Sequence, residues 1–292
     1  MSSKWVLGVL GGSGLYEIDG LENAREEHIV TPWGVPSGNV MRGNIGDVEL
    51  VFLPRHGKGH RLSPTHVNYR ANIDVLKRAG VTDILSISAV GSLQQQYAPG
   101  HFVFIDQFID RTFAREKSFF GEGCVAHVSM AHPICERLSG LAYEAGLSVG
   151  ATCHKGGTYI VMEGPQFSTY AESQLYRSWG CDVIGMTNMP ESKLAREAEI
   201  PYATVAMVTD YDCWHEEEED VSVESVMKIM ASNSANAKKL IRTLCANLEG
   251  VPRTNGPQGI ETCLDYALIT PPDARDPELL AKLDAVAGRV LP

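Results

Sequence analysis

The sequence predicts an α/β fold in a single domain. Short apolar runs such as Val6–Leu10, Val48–Leu53 and Asp83–Ser88 alternate with stretches that read as helices. Several of these runs end in glycine, hydroxyl or basic residues, as strands do where they deliver loops to a ligand. A chain of 292 residues with 44% hydrophobic content can bury one large core, and no repeat or low-complexity linker divides it.

Val6–Leu10 runs into Gly11-Gly12-Ser13-Gly14, where glycine lets backbone come close to a ligand. Val48–Leu53, interrupted only by Glu49, ends at Pro54-Arg55-His56-Gly57. Ser63-Pro64 predicts a helix start, with Ser as N-cap and Pro at the first helical position, and Gly80 predicts its stop. The strand Asp83–Ser88 is expected to break at Ala89-Val90-Gly91-Ser92. Further strands are expected at His101–Ile109, Gly157–Met162, Asp182–Met186 and Tyr202–Thr209, and helices at Pro133–Ala145, Tyr170–Trp179, Glu191–Ala198 and Val221–Leu248. Residues 251–262 read as a loop from their Gly, Pro and Asn content; a short apolar stretch, Cys263–Ile269, and a terminal helix near Pro277–Val290 follow. Residues 251–292 are thus expected to form a C-terminal extension. The acidic run Glu216–Asp220 reads as a solvated loop ahead of the last long helix, with no catalytic role.

A formal net charge of −11 argues against nucleic acid or an anionic membrane as the main partner, so any anion site must be built locally. The start of the chain has no signal-peptide architecture, and no apolar run is long enough to span a bilayer. Seven scattered cysteines without a C-x-x-C pair are the pattern of a reduced, cytoplasmic protein. His56, His60 and His66 invite a metal reading, but glycines separate the first two and no acid stands beside them. Contacts to an anion or to ribose hydroxyls suit them better, and no metal is expected.

Asp210-Tyr211-Asp212 closes the apolar run that begins at Tyr202, so two carboxylates sit where a strand leaves the core. Unpaired acids are costly there, and a ligand rich in N–H donors would partner them; a turn with a helix cap is the competing reading. Three strand ends, Gly-Gly-Ser13-Gly, Arg55-His56-Gly and Ser88-Ala89-Val-Gly-Ser, together offer hydroxyls, free backbone N–H groups and a guanidinium. Such a set makes a phosphate-sized site, although the first loop lacks the lysine of a P-loop. Glu163-Gly-Pro-Gln-Phe167-Ser168 suits a sugar–base ligand through stacking and hydrogen bonding, or else a turn with Phe167 tucked into the core. Met186-Thr187 ends the next strand with an apolar group and a hydroxyl.

In this order the segments resemble the purine nucleoside phosphorylase superfamily, trimeric branch. Gly-Gly-Ser-Gly-Leu, Pro-Arg-His-Gly-Lys-Gly-His, Ala-Val-Gly-Ser-Leu, Ile-Asp-Gln-Phe-Ile-Asp-Arg-Thr, Glu-Gly-Pro-Gln-Phe-Ser, Met-Thr-Asn-Met-Pro-Glu and Thr-Asp-Tyr-Asp-Cys-Trp carry the likeness from about Val6 to about Leu248. Within that branch the chain looks most like the 5′-methylthioadenosine phosphorylases. The resemblance implies a central mixed β-sheet flanked by helices, with a catalytic domain over 1–250. It implies phosphate binding by Ser13, Arg55, His56, Ser88, Ala89 and Thr187, and nucleoside binding by Phe167, Met186, Asp210 and Asp212. Ser168 and Val223 fall where the family sets its 5′-substituent and base preferences. His127 aligns with a residue lent by a neighbouring subunit to the 5′ pocket, and Leu268 or Ile269 is a candidate for the same use. Ser13 and Ser88 stand where many members have Thr, which keeps the hydroxyl.

The implied reaction is reversible phosphorolysis of 5′-methylthioadenosine to adenine and 5-methylthioribose 1-phosphate, in purine and methionine salvage. Phosphate is a co-substrate and no cofactor is required. Asp210 would assist departure of the base at N7, and Asp212 would accept the exocyclic N–H. A 6-oxopurine nucleoside phosphorylase is the close alternative, expected to carry Asn at position 210. A homotrimer, alone or paired with a second trimer, is the implied assembly.

Overall fold

The computed structural model describes residues 4–12, 15, 18–215 and 223–291. Ser13 and the acidic run 216–220 lie outside the described residues, as does the side chain of Val223. Among the described residues, eleven strands form one mixed sheet: β1 Val6–Gly11, β2 Glu22–Glu27, β3 Val40–Ile45, β4 Val48–Pro54, β5 Asp83–Ser92, β6 Phe102–Phe104, β7 Gln107–Arg111, β8 Cys153–Lys155, β9 Thr158–Met162, β10 Val183–Gly185 and β11 Tyr202–Asp210. The flanking helices are α1 Tyr69–Arg78, α2 Glu136–Ser148, α3 Tyr170–Ser178, α4 Asn188–Glu197, α5 Val223–Leu248, α6 Pro277–Lys282 and α7 Asp284–Ala287.

β1 and all but the last residue of β11 are buried, as expected of strands covered on both faces. β4, β1, β5 and β11 run parallel, so their C-terminal ends gather at one edge. The sheet forks at β5. Its first half pairs with β1, its last two residues pair antiparallel with β10, and β11 follows it on the other side. One branch continues through β10 to β9 and β7, the other through β11 to β6 and β8.

Four local expectations are corrected. β5 does not break at Ala89: ladder bonds to β11 and then β10 carry the strand through Gly91 and Ser92. Ser63-Pro64 opens only a 3₁₀ turn, Pro64–His66; α1 starts at Tyr69, where the Asn68 side chain accepts from Ala71 N at 3.1 Å. The stretch His101–Ile109 divides into β6 and β7, and the terminal helix divides at Leu283.

The C-terminal segment is laced into this body. Ile260, Leu264, Ala267, Leu283, Val286 and Ala287 belong to the same apolar core as β1 and β11. Arg253 bonds Thr82 O at 3.0 Å and Glu261 at 2.9 Å, and joins Arg137 in an ion pair with the fully buried Asp83. Arg289 bonds Glu199 at 2.7 Å. Residues 264–270 then lie along the loop that carries His127. Ala126 bridges Leu268, His127 N donates to Ala267 O at 2.9 Å, and Ile269 N to Val125 O at 2.8 Å.

Candidate active site

The fork in the sheet builds the site. Because β10 runs antiparallel to the end of β5, with Ile184 opposite Gly91, the chain leaving β10 returns alongside Ser88 and Ala89. Thr187, the N-cap of α4, therefore comes within 3.5 Å of Ser88 Oγ, and both hydroxyls are buried. The Thr187 side chain does not cap its own helix, and Met189 breaks helical geometry two residues on, so the hydroxyl stands in the turn ahead of the regular part of α4. Ala89 is exposed within an otherwise buried stretch of β5, so small and hydroxyl groups line an open floor. Gly12 is equally open, with nothing within 4 Å of a Cβ built there.

Arg55 departs from expectation. It is 2% exposed, and its fork grips Glu191, with Nε 2.7 Å and Nη2 3.0 Å from the carboxylate oxygens. It also donates to Ile87 O at 3.0 Å, Leu10 O at 3.2 Å and Ser86 Oγ at 2.7 Å. These bonds leave one Nη1 hydrogen as its remaining donor. The guanidinium is not a free clamp at the strand end but a buried tie joining β1, β4, β5 and α4.

His56 donates Nδ1–H to Leu62 O at 2.8 Å, since a carbonyl can only accept. Burial, reinforced by the Arg55 charge, lowers its pKa to about 4, so the ring is neutral and Nε2 carries a lone pair. His60 stacks on it with ring centroids 4.2 Å apart. His66 is engaged elsewhere, with Nδ1 2.7 Å from Ser63 Oγ.

The two carboxylates meet at the end of β11. Asp210 Oδ2 accepts from Thr209 Oγ1 at 2.7 Å, and Oδ1 accepts from Asp212 N at 2.8 Å. Burial raises its pKa above the usual carboxylate range and the Asp212 charge adds to this, against the pull of those two donors. Asp212, 6% exposed and at φ 52°, is likewise raised by burial, and its Oδ2 has no hydrogen-bond partner among the described residues. The nearby Ser173 hydroxyl, the Cys213 N–H and the Ser168 hydroxyl pull its pKa down against that burial. Gly91 makes the crowding possible: a Cβ there would fall 2.8 Å from Asp210 Oδ1.

Glu163 turns inward, away from any ligand role. Thr65 Oγ1 at 2.5 Å, Phe113 N at 2.7 Å and Arg115 Nε at 3.1 Å occupy it, and its pKa falls to about 2 against the opposing effect of burial. Arg115 also holds Met186 O at 2.6 Å, tying the two loops together. Phe167 is 46% exposed, which removes the reading of a core phenylalanine and leaves its ring presented. Ser168 is half-buried; its hydroxyl is 3.7 Å from Met162 Sδ and its carbonyl accepts from Cys213 Sγ at 3.4 Å. Met186 is half-buried against Gly164, where a Cβ would meet its sulfur at 2.4 Å. His127 is exposed, on the loop braced by 264–270.

The Phosphorylase superfamily profile matches residues 6–246. The chain belongs to the phosphorylase superfamily. An S-methyl-5′-thioadenosine phosphorylase of Cereibacter sphaeroides is 61% identical over 288 residues, 99% of each chain. A crystal structure of a methylthioadenosine phosphorylase from an antarctic soil metagenomic library superposes with a TM-score of 0.91 at 45% identity, covering 98% of this chain and 99% of that one. A methylthioadenosine phosphorylase from Schistosoma mansoni in complex with adenine gives 0.85 at 34%, covering 94% and 99%.

For this superfamily member the sequence reading missed three buried groups that shape the site: Glu191, Arg115 and Tyr159. Glu191 follows Met-Thr-Asn-Met-Pro, and a buried acid next to a helix start was the available hint that Arg55 had a partner. Arg115 sits just past Ile109-Asp-Arg-Thr-Phe with no local signal of burial. Tyr159 lay hidden within an apolar strand.

Proposed function

We propose that this chain catalyses the reversible phosphorolysis of 5′-methylthioadenosine to adenine and 5-methylthioribose 1-phosphate. The observation that carries the reading is the pairing of two carboxylates of raised pKa, the half-buried Asp210 and the buried Asp212, with the buried hydroxyl pair Ser88–Thr187 across the fork of one sheet. The relatives named above support it.

Phosphate would lie on the hydroxyls of Ser88 and Thr187 and the backbone at Ala89, with Ser13 as a further donor. Its negative charge faces the sugar carbon, where an oxocarbenium-like cation develops as the glycosidic bond lengthens. His56 Nε2 can share a proton with it, and Arg55 stiffens the strand ends beneath. Phe167 and Met186 offer apolar surface to base and sugar. Asp210, with its raised pKa, supplies a proton or a strong hydrogen bond to purine N7, and Asp212 Oδ2 accepts the exocyclic N–H. Ser168 and Val223 set the 5′ and base preferences.

The assembly is a homotrimer with sites at subunit boundaries. The exposed His127, its brace at 264–270 and the exposed apolar side chains of Phe113 and Ile269 support that placement. The setting is cytoplasmic, a reading supported by seven scattered cysteines without a C-x-x-C pair.

Adenine release from methylthioadenosine, followed with and without phosphate and beside inosine and methylthioinosine, tests the proposal. Release that requires phosphate and strongly favours the 6-amino base is expected. Equal cleavage of the 6-oxo nucleosides would overturn the base assignment, and cleavage without phosphate would overturn the phosphorolysis.

A further inference from the structure

The phenol of Tyr159, in β9, is fully buried, and no step above uses it. Its Oη lies 3.0 Å from Ser88 Oγ, and the Thr187 hydroxyl is its second hydrogen-bonding neighbour. The ring reaches this place because β10 ends in Gly185: a Cβ there would fall 2.0 Å from the phenol oxygen and 2.7 Å from Cζ. Burial, the largest influence, raises the Tyr159 pKa to about 12, so the phenol keeps its hydrogen at any working pH.

A hydroxyl has one hydrogen and two lone pairs, so it must choose where its hydrogen goes. A serine that gave its hydrogen to the phenol would have none for an anion. With Tyr159 donating to Ser88 Oγ, the serine hydrogen is turned away from the ring; in the chain alone it meets Ala89 O at a long 3.4 Å. A phosphate oxygen at that spot would accept a shorter, charge-assisted bond.

We infer that Tyr159 is a positioning residue for the anionic co-substrate, its phenol O–H fixing the Ser88 hydroxyl as a donor toward bound phosphate. This rests on, and deepens, the phosphorolysis proposed above. Tyr159 touches neither base nor sugar in that scheme, so its effect belongs to phosphate alone.

The test is Tyr159→Phe, which keeps the ring and removes the O–H. Phosphate KM is expected to rise roughly fivefold to tenfold, the worth of one buried hydrogen bond, with methylthioadenosine KM nearly unchanged. In a Ser88→Ala background the same change should have little further effect, because the hydroxyl it orients is gone. Protection of the nucleoside-free protein against thermal unfolding by inorganic phosphate gives a readout independent of turnover, and should weaken in parallel. A Tyr159→Phe enzyme with wild-type phosphate KM and protection would overturn the inference and leave phosphorolysis standing. So would equal rises in both KM values, or full additivity with Ser88→Ala, since these mark a merely structural role. A wild-type protein that phosphate neither protects nor drives would overturn both readings at once.

Discussion

Replacing Arg55 by Ala isolates the tie beneath the strand ends. The change strands the Glu191 carboxylate, 1% exposed, with Tyr202 Oη at 2.8 Å as its remaining hydrogen-bonding partner, and frees the acceptors Leu10 O, Ile87 O and Ser86 Oγ. Breaking a buried pair by removing one partner costs about 3–5 kcal/mol. The freed acceptors add their own desolvation cost to that loss. Urea denaturation of wild type and Arg55→Ala at pH 7 measures it directly. Phosphate KM should rise more than nucleoside KM, because the disturbed strand ends carry the phosphate hydroxyls. A variant that unfolds like wild type at pH 7, yet binds phosphate tenfold more weakly, would refute the reasoning and make Arg55 an anion clamp after all.

Asp210→Asn should lower activity on methylthioadenosine and raise relative activity on inosine-type nucleosides, since an amide can donate to O6. Steady-state kinetics on both checks this, and wild-type selectivity for the 6-amino base should approach about 10⁴, the range reached when a site is built around a hydrogen bond. His56 is neutral with Nδ1–H committed, so its Nε2 can only accept, and hydrogenphosphate keeps a proton to give it throughout pH 7–9; His56→Ala should raise phosphate KM by roughly twofold to tenfold, nearly evenly across that range. A phosphate KM unchanged in His56→Ala would rule this out. Glu197 is held by Ser118 Oγ and Phe119 N at 2.7 Å each, yet burial raises its pKa to about 7. Its folded pKa exceeds the unfolded value, so the stability it contributes below about pH 4 is lost as pH rises through 7. Glu197→Gln should thus gain about 2–3 kcal/mol at pH 8 and little at pH 5 by urea denaturation, and equal effects at both would contradict it.

Legibility followed chemistry more than position. β1 and β11 were readable because strands buried on both faces are nearly all apolar. β2, Glu-Asn-Ala-Arg-Glu-Glu, has almost no apolar signal because it is an exposed edge strand held by backbone pairing to β3. Ala89–Ser92 read as a break because glycine and serine suit strands poorly, whereas the fork supplies partners that no local pattern announces. Of the site, the residues Ser88, Ala89, Thr187, Asp210 and Asp212 were nameable, and the structure gathers them. What could not be read was who neutralises whom. Arg55 and Glu191 are 136 positions apart, and a guanidinium at a strand end looks the same whether it awaits a ligand or already holds a carboxylate.

The lacing of the last forty or so residues sets an order of events in the cell. The loop around His127 is pinned by Ala267, Leu268 and Ile269, and that strip is itself fastened by Arg253 to Asp83 and by Arg289 to Glu199. A ribosome delivers these fasteners after the strands of the sheet. A nascent chain can thus complete its sheet and close the Ser88–Thr187 floor while the surface around His127 is still unformed.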